Sequence, residues 1–195
     1  MAHIKAIIFD TDGMMIRNDV FSKRYSAQFG IPIEKILAYI KNEHQLCLVG
    51  KASFRDALEK YKDDWEWKGT IEELMVYWFD GESDVDGRLV EIIKKLREKN
   101  ILCVLATNQV QERTDYLVTK LGFDKIFDKI YSSSTVGFKK PQPEFFEYIL
   151  KDLKLKPEEV MFWDDDEKNI AGAKACRIPS NLYTTLENFK AALLV

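Results

Sequence analysis

Hydrophobic residues follow two different patterns along this chain. A nearly continuous apolar run, interrupted only by Lys5, occupies residues 4–9, and continuous runs occupy residues 101–106 and 160–163. Runs this short, with no polar alternation, are typical of strands buried on both faces of a parallel sheet. Between the first and second runs, apolar residues recur three and four positions apart, which predicts amphipathic helices. The chain therefore combines sheet-forming segments with a long segment of helical character.

The order of these patterns predicts an α/β fold. From residue 85 onward, the runs at 101–106 and 160–163 and shorter strand candidates at 127–131 and 181–184 alternate with helical spacing, which continues to residue 194. This alternation favours a doubly wound, Rossmann-like parallel sheet. Residues 16–84 show helical spacing only and predict about four helices. We therefore expect a core formed by residues 1–15 and 85–195, and a small helical cap formed by residues 16–84.

Composition narrows the possible functions. The chain has 195 residues, 46% of them hydrophobic and 31% charged, with a net charge of −3. No basic block is present, which argues against a nucleic-acid partner. No apolar run reaches the roughly 18 residues of a membrane helix. The N-terminus lacks a secretory pattern and the three cysteines are widely separated, so we expect a cytoplasmic protein without disulfides or a zinc site.

Polar residues follow the predicted strands at the points where those strands end. They are Asp10 and Asp12, Thr107 and Asn108, and Asp164 and Asp165, with Lys139 and Lys140 in the loop before Pro141. Each set has a local explanation: a turn, a helix cap, an acidic first helical turn or solvated lysines. If the strands are parallel, however, all of these groups meet at one edge of the sheet, where α/β proteins bind ligands.

Such a cluster suits phosphoryl chemistry. Neighbouring carboxylates repel one another unless a cation lies among them. Oxygen ligands without nearby His or Cys favour Mg²⁺ over zinc. A metal, a lysine and hydroxyl or amide donors around one carboxylate form a site for a phosphoryl group. That carboxylate can attack phosphorus and form an aspartyl-phosphate, and a second acid can serve as general acid and then base.

Four segments, in this order, resemble the motifs of the haloacid dehalogenase-like superfamily, in its phosphatase branch. They are Phe-Asp-Thr-Asp-Gly at 9–13, Leu-Ala-Thr-Asn at 105–108, Gly-Phe-Lys-Lys-Pro-Gln-Pro at 137–143 and Phe-Trp-Asp-Asp at 162–165. The resemblance spans nearly the whole chain. The helical segment is similar to the small cap of the family's first cap class.

The resemblance implies catalytic roles for three residues. Asp10 matches the nucleophile, which is also a Mg²⁺ ligand. Asp12 matches the general acid and base, and its backbone carbonyl matches a metal ligand. Lys140 matches the lysine that steadies the nucleophile and the phosphoryl charge. Lys139 is the weaker match, because the family's lysine adjoins the proline. An acid at the position of Asp12 suits phosphate esters, whereas the family's dehalogenases lack it.

The same resemblance implies binding roles for residues that follow the other strands. Thr107 matches a phosphate-binding hydroxyl, and Asn108 is a further phosphate donor. Asp165 matches the metal carboxylate, assisted by Asp164. The flanking Asp166 and Asn169 are expected to surround these ligands.

Residues near the entrance depart from the family's pattern. Met14, Met15, Arg17 and Lys51 are candidates for substrate contact, although Arg17 and Lys51 also fit ordinary solvated positions. The aromatic residues of the helical segment are expected to pack together rather than to stack on a ligand. They are Trp65, Trp67, Tyr77, Trp78 and Phe79. A small cap leaves an open site, which favours small substrates such as sugar phosphates.

The sequence therefore predicts a Mg²⁺-dependent phosphomonoester hydrolase that acts on a small phosphorylated metabolite through Asp10. Two alternatives stay open. One is a phosphomutase of the same superfamily, which returns the phosphoryl group to its substrate. The other is a non-enzymatic phospho-acceptor domain of the receiver type. Receiver domains, however, carry the acceptor on a strand in the middle of their sequence and have no cap, whereas Asp10 follows the first strand. We expect a monomer or dimer, with no nucleic-acid or membrane partner.

Overall fold

A computed structural model describes residues 4–17 and 20–193. Its sheet has five strands in the order β3-β2-β1-β4-β5, and every pair of neighbours is parallel. The strands are β1 (Ala6–Phe9), β2 (Leu102–Thr107), β3 (Lys129–Ser132), β4 (Val160–Asp164) and β5 (Ser180–Leu182). The predicted parallel α/β sheet is confirmed.

Twelve α-helices accompany these strands in the described part of the chain. They are α1 (Phe21–Phe29), α2 (Ile33–Lys41), α3 (Glu43–Cys47), α4 (Phe54–Tyr61), α5 (Ile71–Asp80), α6 (Gly87–Glu98), α7 (Gln111–Thr119), α8 (Phe123–Ile126), α9 (Ser133–Val136), α10 (Pro143–Leu153), α11 (Glu167–Ala175) and α12 (Leu186–Leu193). The predicted end of the last helix, Leu194, lies outside the described residues. No described helix is both long enough and apolar enough to cross a membrane.

Strand β1 is central, and both of its faces are covered. Its four residues are all buried. Ile7 and Phe9 belong to one hydrophobic cluster, shared with α6 and α12, whereas Ala6 and Ile8 belong to another, shared with α10 and α11. Because side chains alternate along a strand, these clusters lie on opposite faces of the sheet. The sheet is therefore doubly wound.

The pairing register determines where the polar strand ends meet. Phe9 pairs with Leu105 of β2 and with Trp163 of β4. The residues that follow these three positions are therefore brought to the same edge of the sheet. Thr107, at the end of β2, pairs with Ser132 at the end of β3.

The segment between β1 and α6 forms a helical body with its own hydrophobic core. It contains five described helices, α1–α5, rather than about four. The additional one arises at Asn42, whose backbone angles (φ −115°, ψ −92°) interrupt the helical run and separate α2 from α3. Trp65, Trp78 and Phe79 are buried in this core, and Trp67 and Tyr77 pack against it. The predicted packing role of these aromatic residues is confirmed.

Candidate active site

Asp10 leaves the end of β1 and enters a tight turn. Its amide donates to the carbonyl of Trp163 at 3.0 Å, which extends the ladder between β1 and β4 by one residue. The turn closes through the Ile16 amide, which donates to the Thr11 carbonyl at 2.8 Å. Gly13 adopts φ +79°, and a Cβ there would lie 1.8 Å from Oδ2 of Asp165. The turn therefore requires glycine for its backbone and for the approach of Asp165.

Lys140 joins two of the predicted acids below the surface. Its Nζ donates to Oδ1 of Asp10 at 2.5 Å and to Oδ2 of Asp164 at 2.7 Å, and the residue is 2% exposed. The neighbouring Lys139 turns the other way and donates to the side chain of Gln45 in the helical segment. Of the two lysines, Lys140 alone contacts Asp10, as the adjacent proline indicated.

Asn108 positions the backbone of Lys140. Its Nδ2 donates to the Lys140 carbonyl and its Oδ1 accepts from the Lys140 amide, both at 2.9 Å. This reciprocal pair ties the end of β2 to the lysine loop. Thr107 precedes it, almost fully buried, and both residues line the cavity above Asp10.

Three carboxylates gather at this edge. One oxygen from each of Asp10, Asp164 and Asp165 lies within 4.8 Å of the others. Asp164 is fully buried and also accepts from the side-chain amide of Asn169 at 3.1 Å, whereas Asp165 is exposed. Burial raises the pKa of Asp10 to about 8, against the opposing charge of Lys140 and with a further contribution from Asp164.

This charge balance fits a divalent cation. In the cluster, three carboxylates face the single ammonium of Lys140. Burial and the neighbouring Asp164 also raise the pKa of Asp165. Hard oxygen donors with uncompensated negative charge are the ligand set that Mg²⁺ prefers. The residues that the sequence predicted as metal ligands are therefore suited to this ion.

Asp12 faces the same cavity from the opposite end of the turn. Its Oδ2 accepts from Nε2 of Gln109, and its buried Oδ1 has no hydrogen-bond partner among the residues that the structure describes. Burial raises its pKa, which the positive charges of Arg113 and Lys140 partly oppose. A carboxyl group held on one oxygen and free on the other is arranged to exchange a proton with a ligand.

Two cavities meet at Asp12. The larger, of about 610 Å³, lies over the cluster and is lined by Asp10, Asp12, Thr107, Asn108, Lys140, Asp165, Asp166, Glu167, Lys168 and Asn169. It brings together every residue predicted to have a catalytic, phosphate-binding or metal-binding role except Asp164, which lies beneath it against Lys140. The smaller, of about 260 Å³, lies between the helical segment and the core.

The smaller cavity contains functional candidates that the sequence did not indicate. Arg113 of α7 is 1% exposed and donates to the carbonyls of Phe79 and Glu82. Glu82 accepts from the Phe21 amide at 2.8 Å and from Nε1 of Trp78 at 3.1 Å. Burial raises the pKa of Glu82 to about 7. Gln109 directly follows the Thr-Asn motif, which was its only signal.

The entrance candidates lie elsewhere. Met14 and Met15 are buried in the hydrophobic cluster on the α6 and α12 face of the sheet. Arg17 is exposed, and its Nη1 lies 3.6 Å from Oδ2 of Asp84. Lys51 is also exposed. None of these four lines either cavity, so the solvated interpretation of Arg17 and Lys51 agrees with their positions.

A family model described as haloacid dehalogenase-like hydrolase matches residues 4–177. A phosphorylated carbohydrates phosphatase from Thermotoga maritima is 24% identical over 184 residues, covering 90% of this chain and 82% of that protein. A D-ribitol-5-phosphate phosphatase from Bacteroides thetaiotaomicron is 25% identical over 177 residues, covering 86% and 85%.

Among solved structures, the fold matches that of a HAD family enzyme from Bacteroides thetaiotaomicron in complex with magnesium and inorganic phosphate. The TM-score is 0.83 at 19% identity, and the match covers 97% of this chain and 98% of that one. The fold likeness therefore extends over the sheet and the helical segment together.

Proposed function

We propose that this chain, which belongs to the haloacid dehalogenase-like hydrolase family, is a magnesium-dependent phosphomonoesterase acting on a small phosphorylated metabolite. The observation that carries the proposal is the contact of Lys140 with Asp10 and Asp164 beneath a cavity that Asp12, Thr107 and Asp165 also line. The names of the two relatives, which act on phosphorylated carbohydrates and on ribitol phosphate, favour a sugar phosphate.

Asp10 is the proposed nucleophile. Lys140 holds its Oδ1, which leaves Oδ2 to attack phosphorus. Attack forms the acyl-phosphate bond and breaks the bond between phosphorus and the ester oxygen. The Thr107 hydroxyl binds a phosphoryl oxygen at the end of β2, and Asn108 contributes by holding the lysine loop in place. The Lys140 ammonium stabilises the charge that develops on the phosphoryl group.

Asp12 is the proposed acid and base. Its unpartnered Oδ1 gives a proton to the departing oxygen, and in the second step takes one from the water that attacks the aspartyl-phosphate. Gln109 donates to Oδ2 and so holds the carboxyl group in this orientation. The positive charge of Arg113 opposes the rise of the Asp12 pKa that burial causes.

Asp10, Asp165 and the backbone carbonyl of Asp12 would hold Mg²⁺, with Asp164 assisting. When bound, the ion neutralises the carboxylates and allows a phosphate dianion to approach them. The charge of the cluster supports this assignment, because Lys140 alone does not balance the negative charge of Asp10, Asp164 and Asp165.

The helical segment of residues 16–84 is the proposed cap, and residues 1–15 with 85–195 are the proposed catalytic core. The smaller cavity supports this division, because its lining comes from both parts and includes Asp12. A leaving group bound there is covered by the cap while its phosphoryl group lies over Asp10. Covering the reacting groups also excludes bulk water.

The test is the isosteric variant Asp10→Asn, assayed with an aryl phosphate and Mg²⁺ by released inorganic phosphate. We expect loss of turnover, because the amide cannot form the acyl-phosphate. Asp124→Asn makes the same change at an exposed position of α8 and serves as the control. Normal turnover by Asp10→Asn would contradict the proposal. Reading free phosphate also separates hydrolysis from return of the phosphoryl group to the substrate, as in a mutase.

A further inference from the structure

The smaller cavity sets a size limit on the leaving group. Its volume of about 260 Å³ is below the roughly 300–1,000 Å³ of pockets that hold drug-sized ligands. One wall is apolar and includes Phe21, Leu48, Phe54 and Val110. A compact alcohol of a few carbon atoms suits this space.

Two buried polar atoms on the cavity residues have no partner within residues 4–17 and 20–193. One is the acceptor Oδ1 of Asp12 and the other is the donor Nε of Arg113. Both residues line the cavity, and Arg113 is 1% exposed. Because a buried polar group without a hydrogen bond is costly, an occupant that both donates and accepts hydrogen bonds is favoured over a hydrocarbon.

The residues that line the cavity include more acids than charged bases. Asp12 and Glu82 contribute carboxyl groups, and Arg113 contributes the one guanidinium in the described lining. The two terminal nitrogens of Arg113 are engaged by the carbonyls of Phe79 and Glu82. His44 also lines the cavity, but burial lowers its pKa to about 4, so it is neutral at pH 7. A second anion in this space would face the carboxylate of Glu82, because Asp12 is the proposed proton donor.

We propose that Arg113 and Glu82 make this cavity selective for an uncharged, hydroxyl-bearing leaving group and against one that carries a carboxylate. Arg113 donates its free Nε to a hydroxyl oxygen of the leaving group, and Glu82 repels an anion at the same place. Arg113 is thus a specificity-determining residue rather than a phosphate ligand. This inference rests on the proposed phosphomonoesterase activity and names the substrate class of that site.

Three matched phosphomonoesters test the inference. Glycerol 3-phosphate and 3-phosphoglycerate differ only in a terminal hydroxymethyl or carboxylate group, and n-propyl phosphate lacks both hydroxyls. The value of kcat/KM is measured for each near pH 8, above the pKa of Glu82. We expect glycerol 3-phosphate to exceed 3-phosphoglycerate by at least about tenfold, because placing like charges together costs several kcal/mol. It should exceed n-propyl phosphate by about tenfold, because the alkyl ester leaves the buried Nε of Arg113 unpaired.

Glu82→Gln assigns the effect to a residue. The amide keeps an oxygen for the Phe21 amide and loses the one that accepts from Nε1 of Trp78. It also removes the charge, so the preference for glycerol 3-phosphate over 3-phosphoglycerate should fall at least threefold, to about the extent that one like charge contributes. Asp84→Asn removes an exposed acid two residues along and should leave the preference unchanged. An unchanged preference in Glu82→Gln would overturn the role of that residue.

The outcomes separate this inference from the proposed function. If 3-phosphoglycerate or n-propyl phosphate is hydrolysed as well as glycerol 3-phosphate, the inference fails and the phosphomonoesterase stands. The same holds if an aryl phosphate is hydrolysed and glycerol 3-phosphate is not. If no phosphomonoester is hydrolysed in the presence of Mg²⁺, both are overturned.

Discussion

Gly13→Ala is expected to impair magnesium use in addition to its cost in folding. An alanine at this position incurs the cost of φ +79°, roughly 1–2 kcal/mol for a residue with a Cβ. Its Cβ would also lie 1.8 Å from Oδ2 of Asp165, closer than the 3.0 Å limit for real Cβ contacts. The carboxyl oxygen must therefore move by more than about 1 Å. Asp165 is exposed, so it can move at little cost to stability.

Gly122→Ala is the matched control. Gly122 has φ +69° and an added Cβ there meets nothing within 4 Å, so it carries the backbone cost without moving a ligand. Urea unfolding should show similar losses for the two variants. The half-saturating Mg²⁺ concentration for phosphate release should rise by roughly 10–100-fold in Gly13→Ala only, because displacements near 1 Å cost about 100-fold in positioned sites.

The reasoning is refuted if Gly13→Ala and Gly122→Ala show the same Mg²⁺ dependence. That result would mean that Asp165 does not hold the metal, or that it holds it from a position the turn does not constrain. A larger loss of stability in Gly13→Ala would instead show that Asp165 cannot move away freely.

Two further predictions concern buried charge. Lys140→Met leaves two acids without their ammonium partner, so the free energy of unfolding measured in urea without Mg²⁺ should fall by about 3 kcal/mol. Added Mg²⁺ should restore part of this loss. An unchanged stability would contradict the buried contacts. The pKa of His44 is about 4 in the folded protein and about 6.5 in the unfolded chain. Its contribution to the free energy of unfolding is therefore fully present above pH 6.5 and is lost as the pH falls toward 4. Between pH 7 and pH 5 this amounts to about 2 kcal/mol, and His44→Gln should lose less stability over that interval than the parent; equal losses would refute the assignment.

The strands that are buried on both faces gave the clearest apolar runs in the sequence. Strands β1, β2 and β4 occupy the middle of the sheet, and covering on both faces requires apolar residues almost throughout. Their positions were predicted to within two residues. Strands β3 and β5 lie at the edges and include the polar Lys129 and Ser180. Their boundaries were likewise predicted to within two residues, although an edge strand does not need a continuous apolar run.

Whether a residue of the candidate site could be predicted also depends on its position in the fold. Asp10, Asp12, Thr107 and Asp165 lie at or within three residues of strand ends, so parallel pairing was enough to place them together. Arg113 could not be predicted, because in sequence it resembles any solvated helical arginine; its burial arises where the helical segment packs on α7. Glu82 depends on the same packing, whereas Gln109 is identified by its hydrogen bond to Asp12. The division at Asn42 was missed because helical spacing continues across it.

The proposed covalent mechanism can be tested by detecting a phosphoryl group on Asp10. The protein is mixed with substrate and Mg²⁺, quenched in acid within one turnover, digested and analysed by mass spectrometry. If Asp10 is the nucleophile, a peptide containing Asp10 will carry one phosphoryl mass that is labile to hydroxylamine and absent from Asp10→Asn. Rapid phosphate release with no such adduct at any quench time, or an adduct on another residue, would contradict the account.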